Sequence, residues 1–164
     1  MATLYDEACL KTFPIDSELD ALMIRKGAKP LAEDEVRIPL GGDPGRGWNV
    51  ADGDQTFTVL LELPPYHACS VRASRSTVGT LDLAPYHAAV DPFVASHRGF
   101  ASQPGVDAER NGIRMHAEVQ GRQLPAGGAE LLMVIDQQVV DAGKQTPGTI
   151  ATPLRFVHQI NTGR

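Results

Sequence analysis

The stretch WNVADGDQTFTVLLEL, residues 48–63, decides the fold class of this chain. Its Asp52-Gly53 pair is typical of a two-residue β-hairpin turn, and the segments on either side have the composition of strands. Every second residue from Phe57 to Leu63 is apolar, which places four side chains on one face of a sheet. The stretch therefore predicts two antiparallel strands with one buried face.

The same alternation predicts further strands toward the C-terminus. Cys69 and Val71 point inward from the first of these, and residues 131–135 are apolar on both faces, as in a central strand. The predicted strands are residues 67–73, 113–120, 131–135 and 154–160. Val36–Ile38 alternates briefly as a strand does, whereas the Gly41–Gly47 segment and residues 138–151 are predicted to be loops.

Three helices are predicted from capping signals and from apolar residues at helical spacing. Tyr5, Cys9 and Phe13 recur every fourth residue and indicate a short helix closed by Pro14. A second helix follows Ile15 and ends near Gly27, and a third runs from a cap at Asp82 to Gly99. We expect Pro92 to kink the third helix or to force a restart at Asp91.

The predicted elements give an α+β fold in which turns, rather than crossover helices, join neighbouring strands. We expect a mainly antiparallel sheet of five to seven strands, covered by the N-terminal helix pair and one further helix. A length of 164 residues suits one domain, residues 1–164, with a core of its own.

Composition and motifs exclude several classes of function. A net charge of −5 and the absence of a large basic patch argue against nucleic-acid binding, since Arg72–Arg75 is the nearest approach to one. The chain has no apolar run long enough to span a bilayer. It also lacks a nucleotide-binding loop, a Cys-x-x-Cys pair and a Gly-x-Ser-x-Gly motif. No cofactor, metal ligand or catalytic residue is therefore predicted.

The two cysteines are Cys9, on the inner stripe of the first helix, and Cys69, on the inner face of a strand. Both lie where that helix is expected to cover the sheet, so we predict a disulfide between them. The alternative is two unlinked buried thiols, which are common in protein cores. A disulfide would place the protein outside the reducing cytosol.

Pro-Tyr-His-Ala occurs twice, at residues 65–68 and 85–88. If His67 and His87 converged, they would supply two metal ligands, with His116 as a third. One copy enters a strand and the other a helix, so the favoured interpretation is coincidence. His158 alternates with Phe156 and Ile160 and is predicted to be a hydrogen-bonded core histidine.

Three short runs resemble small secreted or periplasmic proteobacterial proteins of uncharacterised function: DEACLKTFP at 6–14, GRGW at 45–48 and CSV at 69–71. The resemblance covers mainly the first half of the chain. It implies a cysteine in the first helix that accompanies another in a central strand, and a signal sequence before that helix. It implies no catalytic residues.

The function predicted from these observations is a non-enzymatic periplasmic or secreted protein that binds another protein, in the manner of an inhibitor or immunity protein. The predicted contact surfaces are the Gly41–Gly47 loop with Arg46 and Trp48, and the 138–151 loop, because Trp and Arg are frequent interface anchors. Alternatively, Trp48 fills the core. Two rival functions are a small hydrolase or metal-dependent enzyme that uses His67 and His87, and a small-molecule carrier. The first residues have no basic stretch followed by an apolar one, as in a cytoplasmic protein or a mature secreted chain.

Overall fold

The hairpin at Asp52-Gly53 forms as predicted and belongs to one antiparallel sheet. The structure, a computed structural model, describes residues 1–75, 81–141, 143 and 152–162. The strands of this described part are β1 (Lys29–Pro30), β2 (Gly45–Asp52), β3 (Gln55–Glu62), β4 (Ala68–Arg75), β5 (Ala101–Arg110), β6 (Ile113–Gln123), β7 (Ala129–Val139) and β8 (Thr152–Asn161). Their order across the sheet is β1-β2-β3-β4-β8-β7-β6-β5.

The α+β class and the antiparallel sheet are confirmed, but the predicted number of strands is too low. The described residues form eight strands; the sequence predicts neither the two-residue β1 nor β5. All ten residues of β5 are exposed at the edge of the sheet, so no apolar alternation marks it. Strand β7 also continues to Val139, into the segment predicted as a loop from residue 138; residues 142 and 144–151 of that segment lie outside the described residues.

Helical structure is present in all three predicted regions, and one further helix lies between the second and the third of them. The helical elements are α1 (Ala2–Tyr5), continued by a π-helical turn (Asp6–Leu10), then α2 (Asp16–Arg25), α3 (Glu33–Arg37) and α4 (Ala84–Ser96). Helix α4 runs through Pro92 without a restart, because the packing of Tyr86 and Val90 against the sheet outweighs one missing hydrogen bond. Helix α3 takes the place of the strand predicted at Val36–Ile38.

The main core lies between one face of the sheet and the helices α1, α2 and α4; we call this the covered face. Alternate residues of the interior strands reach it, among them Val59, Val71 and Phe156. Cys9 and Cys69 form a disulfide across this layer, with their Cα atoms 5.4 Å apart. The predicted pairing is confirmed, and it ties the N-terminal helix to a strand in the middle of the sheet.

Among the described elements, α3 alone packs on the opposite face of the sheet, where it covers the end formed by β2 and β3. Val36 and Leu40 pack there against Leu60 in a second, smaller cluster. Gly45 and Gly47 lie in β2 rather than in the predicted loop. The close packing leaves no space for a side chain at either position, which explains why both residues are glycine. A Cβ atom on Gly45 would meet Leu40 Cδ1 at 2.3 Å and the backbone oxygen of Leu61 at 2.5 Å.

No helix within the described residues has both the length and the apolar character needed to cross a membrane.

Candidate functional site: an arginine groove

Two arginines face each other on the part of the opposite face that α3 leaves uncovered. Cys69 and Val71 of β4 point to the covered face. Successive side chains of a strand alternate between its two faces, so Arg72, which follows Val71, points to the opposite face. On β8 the same alternation carries Phe156 inward and Arg155 outward. Arg72 and Arg155 are direct cross-strand partners in the sheet. We call the depression around them the arginine groove.

The guanidinium of Arg72 is held by neutral oxygen atoms. Its two Nη atoms each donate to the carbonyl oxygen of Pro39 at 3.3 Å, and its Nε donates to the hydroxyl of Ser70 at 3.4 Å. These are long contacts for hydrogen bonds of a charged donor, which are usually 2.7–2.9 Å. The positive charge of Arg72 therefore has no close anionic acceptor among the described residues.

Arg155 is less well satisfied than Arg72. One of its Nη atoms donates to the side-chain oxygen of Gln137 at 3.2 Å. Its Nε is buried and has no hydrogen-bond partner within the part of the chain that the structure describes. A buried donor without a partner costs about 1–3 kcal/mol, so Arg155 is held at this position at a cost in stability.

The residues that line the groove carry more positive than negative charge. Burial, together with the charge of Arg155, lowers the pKa of Arg72 to about 10. Burial also lowers the pKa of Arg155. Glu62 also lines the groove, and burial and Asp43 raise its pKa while the charge of Arg72 opposes that rise. The two arginines therefore outnumber the one carboxyl group among the lining residues. The groove is therefore a desolvated cationic site, which favours an anion.

The groove has a volume of about 190 Å³ and a polar and an apolar part. The polar part is formed by Ser70, Gln159, Glu62 and the two arginines. Met133, Ile135 and Val157 form the apolar part on the neighbouring strands. Pro39 and Leu40, which follow α3, stand at its edge. This arrangement can bind an anionic group and hold an apolar segment beside it.

The histidines of the repeated tetrapeptide are held by different carboxylates. The Nε2 of His67 lies 2.7 Å from Asp16, and its ring packs against Phe13. His87 and His116 both approach a different carboxylate, Glu118. Their Nε2 atoms lie 3.3 and 3.5 Å from its oxygens, elsewhere on the covered face. No three His, Cys, Asp or Glu side chains within residues 1–75, 81–141, 143 and 152–162 are grouped as metal ligands would be.

The predicted interface residues Arg46 and Trp48 lie on the covered face. Trp48 is only 8% exposed and belongs to the core, as in the alternative considered for it. Arg46 forms a bidentate ion pair with Asp20 of α2, at 2.7 and 2.8 Å. The guanidinium of Arg46 stays partly exposed. Its role in an interface remains a prediction.

His158 is the buried, hydrogen-bonded histidine that the sequence predicts. Its Nδ1 donates to the carbonyl oxygen of Cys9 at 2.6 Å, and its Nε2 lies 2.7 Å from Glu130. Arg122 binds the second oxygen of Glu130 at 2.6 Å. The three side chains connect the sheet to the N-terminal helix, and the burial of His158 and Glu130 indicates a structural role.

Sequence reasoning missed the arginine groove. It noted Arg72 only as part of a small basic segment, and Arg155 not at all. A usable signal is present: Arg155 stands between Leu154 and Phe156 in a strand whose neighbours are apolar. A charged residue within an interior strand indicates that one face of the sheet has a function other than core packing.

Comparison with protein-family models, with curated proteins and with solved structures finds no match to this chain. The interpretation of the groove therefore depends on its own geometry.

Proposed function

We propose that this protein is a non-enzymatic binding protein of the periplasm or the extracellular space, and that its arginine groove binds an anionic group of the ligand. The observation that carries the proposal is the direct cross-strand pairing of Arg72 with Arg155. Like charges at such positions destabilise a sheet. Here two arginines face one carboxyl group among the residues that line the groove. An arrangement that costs stability in this way is characteristic of functional sites.

The proposed location is supported by the disulfide between Cys9 and Cys69. Stable disulfides form in oxidising compartments and are rare in the cytosol. A protein partner, as in an inhibitor or immunity protein, fits the same groove if the partner supplies an acidic side chain. Arg46 is then a second contact on the other face.

The metal-enzyme alternative has less support. It requires His67 and His87 to share a ligand, whereas they contact Asp16 and Glu118 respectively. We expect divalent metals to leave the melting temperature unchanged. A rise in melting temperature that His87→Ala abolishes would favour the enzyme over the binding protein.

Anion-dependent stabilisation tests the proposal. The melting temperature of the oxidised protein is measured in acetate, phosphate and sulfate against chloride at constant ionic strength. A ligand that binds only the folded state raises the melting temperature. We expect at least one anion to do so for the wild type and not for Arg155→Gln.

The control for this experiment is Arg114→Gln. Arg114 is exposed, lies on the covered face and pairs with Glu109 at 3.5 Å. Its substitution removes the same charge at a distance from the groove and should leave the anion effect intact. If Arg114→Gln and Arg155→Gln reduce the effect equally, the effect comes from net charge and the proposal fails.

A further inference from the structure

We infer that the ligand of the arginine groove is a small organic acid, with one carboxylate bound by Arg72 and Arg155 and a short apolar chain beside it. This inference rests on the proposed function of the same groove and adds the class of ligand.

The donors in the groove fit a carboxylate better than a phosphate. Phosphate sites commonly use backbone amides at helix N-termini or in glycine-rich turns. The floor here consists of β4, β8 and β7, each with a strand on both sides, so the sheet uses their amides. Only side-chain donors remain, and a guanidinium presents its N–H groups in a planar fork that matches a carboxylate.

The guanidinium of Arg155 supplies a specific anchor point. One of its Nη atoms is fixed by Gln137, so the side chain is already oriented before any ligand binds. A carboxylate placed between Arg155 and its cross-strand partner Arg72 would reduce the repulsion between the two charges.

The apolar part of the groove begins directly beside the arginines. Ile135 is the cross-strand partner of Arg155, and Met133 is the partner of Val157. Ile135 and Met133 are only partly buried, so they have apolar surface left to cover, whereas Val157 is buried. A ligand with its carboxylate at Arg155 would lay its chain along Met133 and Val157.

The size of the groove limits the ligand. Its volume of about 190 Å³ is below the ~300–1,000 Å³ of sites for drug-sized molecules. The wall formed by Pro39 and Leu40 narrows the approach to it. A free acid of a few carbon atoms fits these limits better than a folded partner's surface does.

Calorimetric titration of the oxidised protein with acetate, butyrate and hexanoate tests the inference. We expect affinity to rise about fourfold for each added methylene group that the groove buries. Butyramide, which has the same chain without the charge, should bind at least tenfold more weakly than butyrate. Arg155→Met should lose at least tenfold in butyrate affinity, while Arg114→Met should not.

Inorganic phosphate and a short peptide with one glutamate are titrated in parallel. If either binds in an Arg155-dependent manner and the free acids do not, the inference is overturned while the proposed function stands. If no anion binds wild-type protein of intact secondary structure, both fail. Chain-length dependence that survives in Arg155→Met would also overturn the inference, since binding would then be only hydrophobic.

Discussion

The imidazole of His158 donates a hydrogen bond of 2.6 Å to the carbonyl oxygen of Cys9, across 149 positions of sequence. Cys9 is at the same time joined by its sulfur to Cys69, the cross-strand partner of His158. The N-terminal helix is thus fixed to adjacent positions of β4 and β8 by one covalent bond and one hydrogen bond. The predictions on stability follow from this junction and from the groove on the other face.

His158→Leu should destabilise the protein by about 3–5 kcal/mol, because it leaves Glu130 buried without one of its two partners. The side chain of His158 is 1% exposed, so water cannot replace the lost contact. Urea denaturation of the oxidised protein measures the change. His116→Leu, at a side chain that is 42% exposed, should stay within about 0.5 kcal/mol and serves as the control. Equal losses for the two variants would contradict the assignment of His158 to the core.

Replacement of both cysteines by alanine should lower the free energy of unfolding by about 4 kcal/mol, since the disulfide closes a loop across 60 positions. Denaturation of the oxidised wild type and of the double variant measures the difference. In the denatured wild type, thiols should react only after reduction. If two thiols react before reduction, the protein has no disulfide, and the support for an extracytoplasmic location is lost.

Stability should fall in acid through Glu130. Burial alone would raise its pKa, but hydrogen bonds from His158 and Arg122, together with their charges, hold it below the ordinary 4.5. A carboxyl group whose pKa is depressed in the folded state contributes stability above its unfolded pKa and loses it as pH falls through the folded value.

Melting temperatures measured from pH 7 down to pH 2 test this dependence. The decline should begin near pH 4.5 for the wild type and be shallower in Glu130→Gln, which cannot titrate. Glu109→Gln, at an exposed carboxylate, is the matched control. If the wild type and Glu130→Gln decline in parallel, Glu130 is not the group responsible.

Gly45→Ala should destabilise the protein by about 1–3 kcal/mol, as is usual when a packed region receives an extra methyl group. The new Cβ would approach the backbone oxygen of Leu61, which cannot turn away as a side chain can. Thermal unfolding measures the loss. Ala51→Ser, at an exposed position in the same strand, should change little. A neutral Gly45→Ala would mean that α3 does not pack closely on β2.

Arg155→Met should leave stability unchanged or raise it by about 1 kcal/mol in the absence of ligand. It removes a buried unpartnered donor and a like charge opposite Arg72. Denaturation in chloride buffer measures the difference from the wild type. A loss of 2 kcal/mol or more would show that Arg155 serves the fold, and the groove would lose its functional interpretation.

The local elements were largely predictable because their signals are local. Apolar alternation located β3, β6 and β8, a continuous apolar run located β7, and capping residues located α2 and α4. The failures have tertiary causes. β5 is an exposed edge strand with no apolar face. The glycines of β2 have the composition of a loop, and only the packing of α3 and the residues after it on β2 explains them. The buried roles of Cys9, Cys69 and His158 were predictable from their alternation with apolar neighbours.

The sequence by itself determined the α+β class, the hairpin at Asp52-Gly53 and the inner face on which both cysteines lie, because side-chain periodicity and turn preference act over a few residues. Only the tertiary structure decided which strands are neighbours. The pairing of β4 with β8 brings Arg72 opposite Arg155 from 83 positions away. No local pattern encodes that register, because it depends on how the whole sheet and its helices pack, and the arginine groove exists only as its consequence.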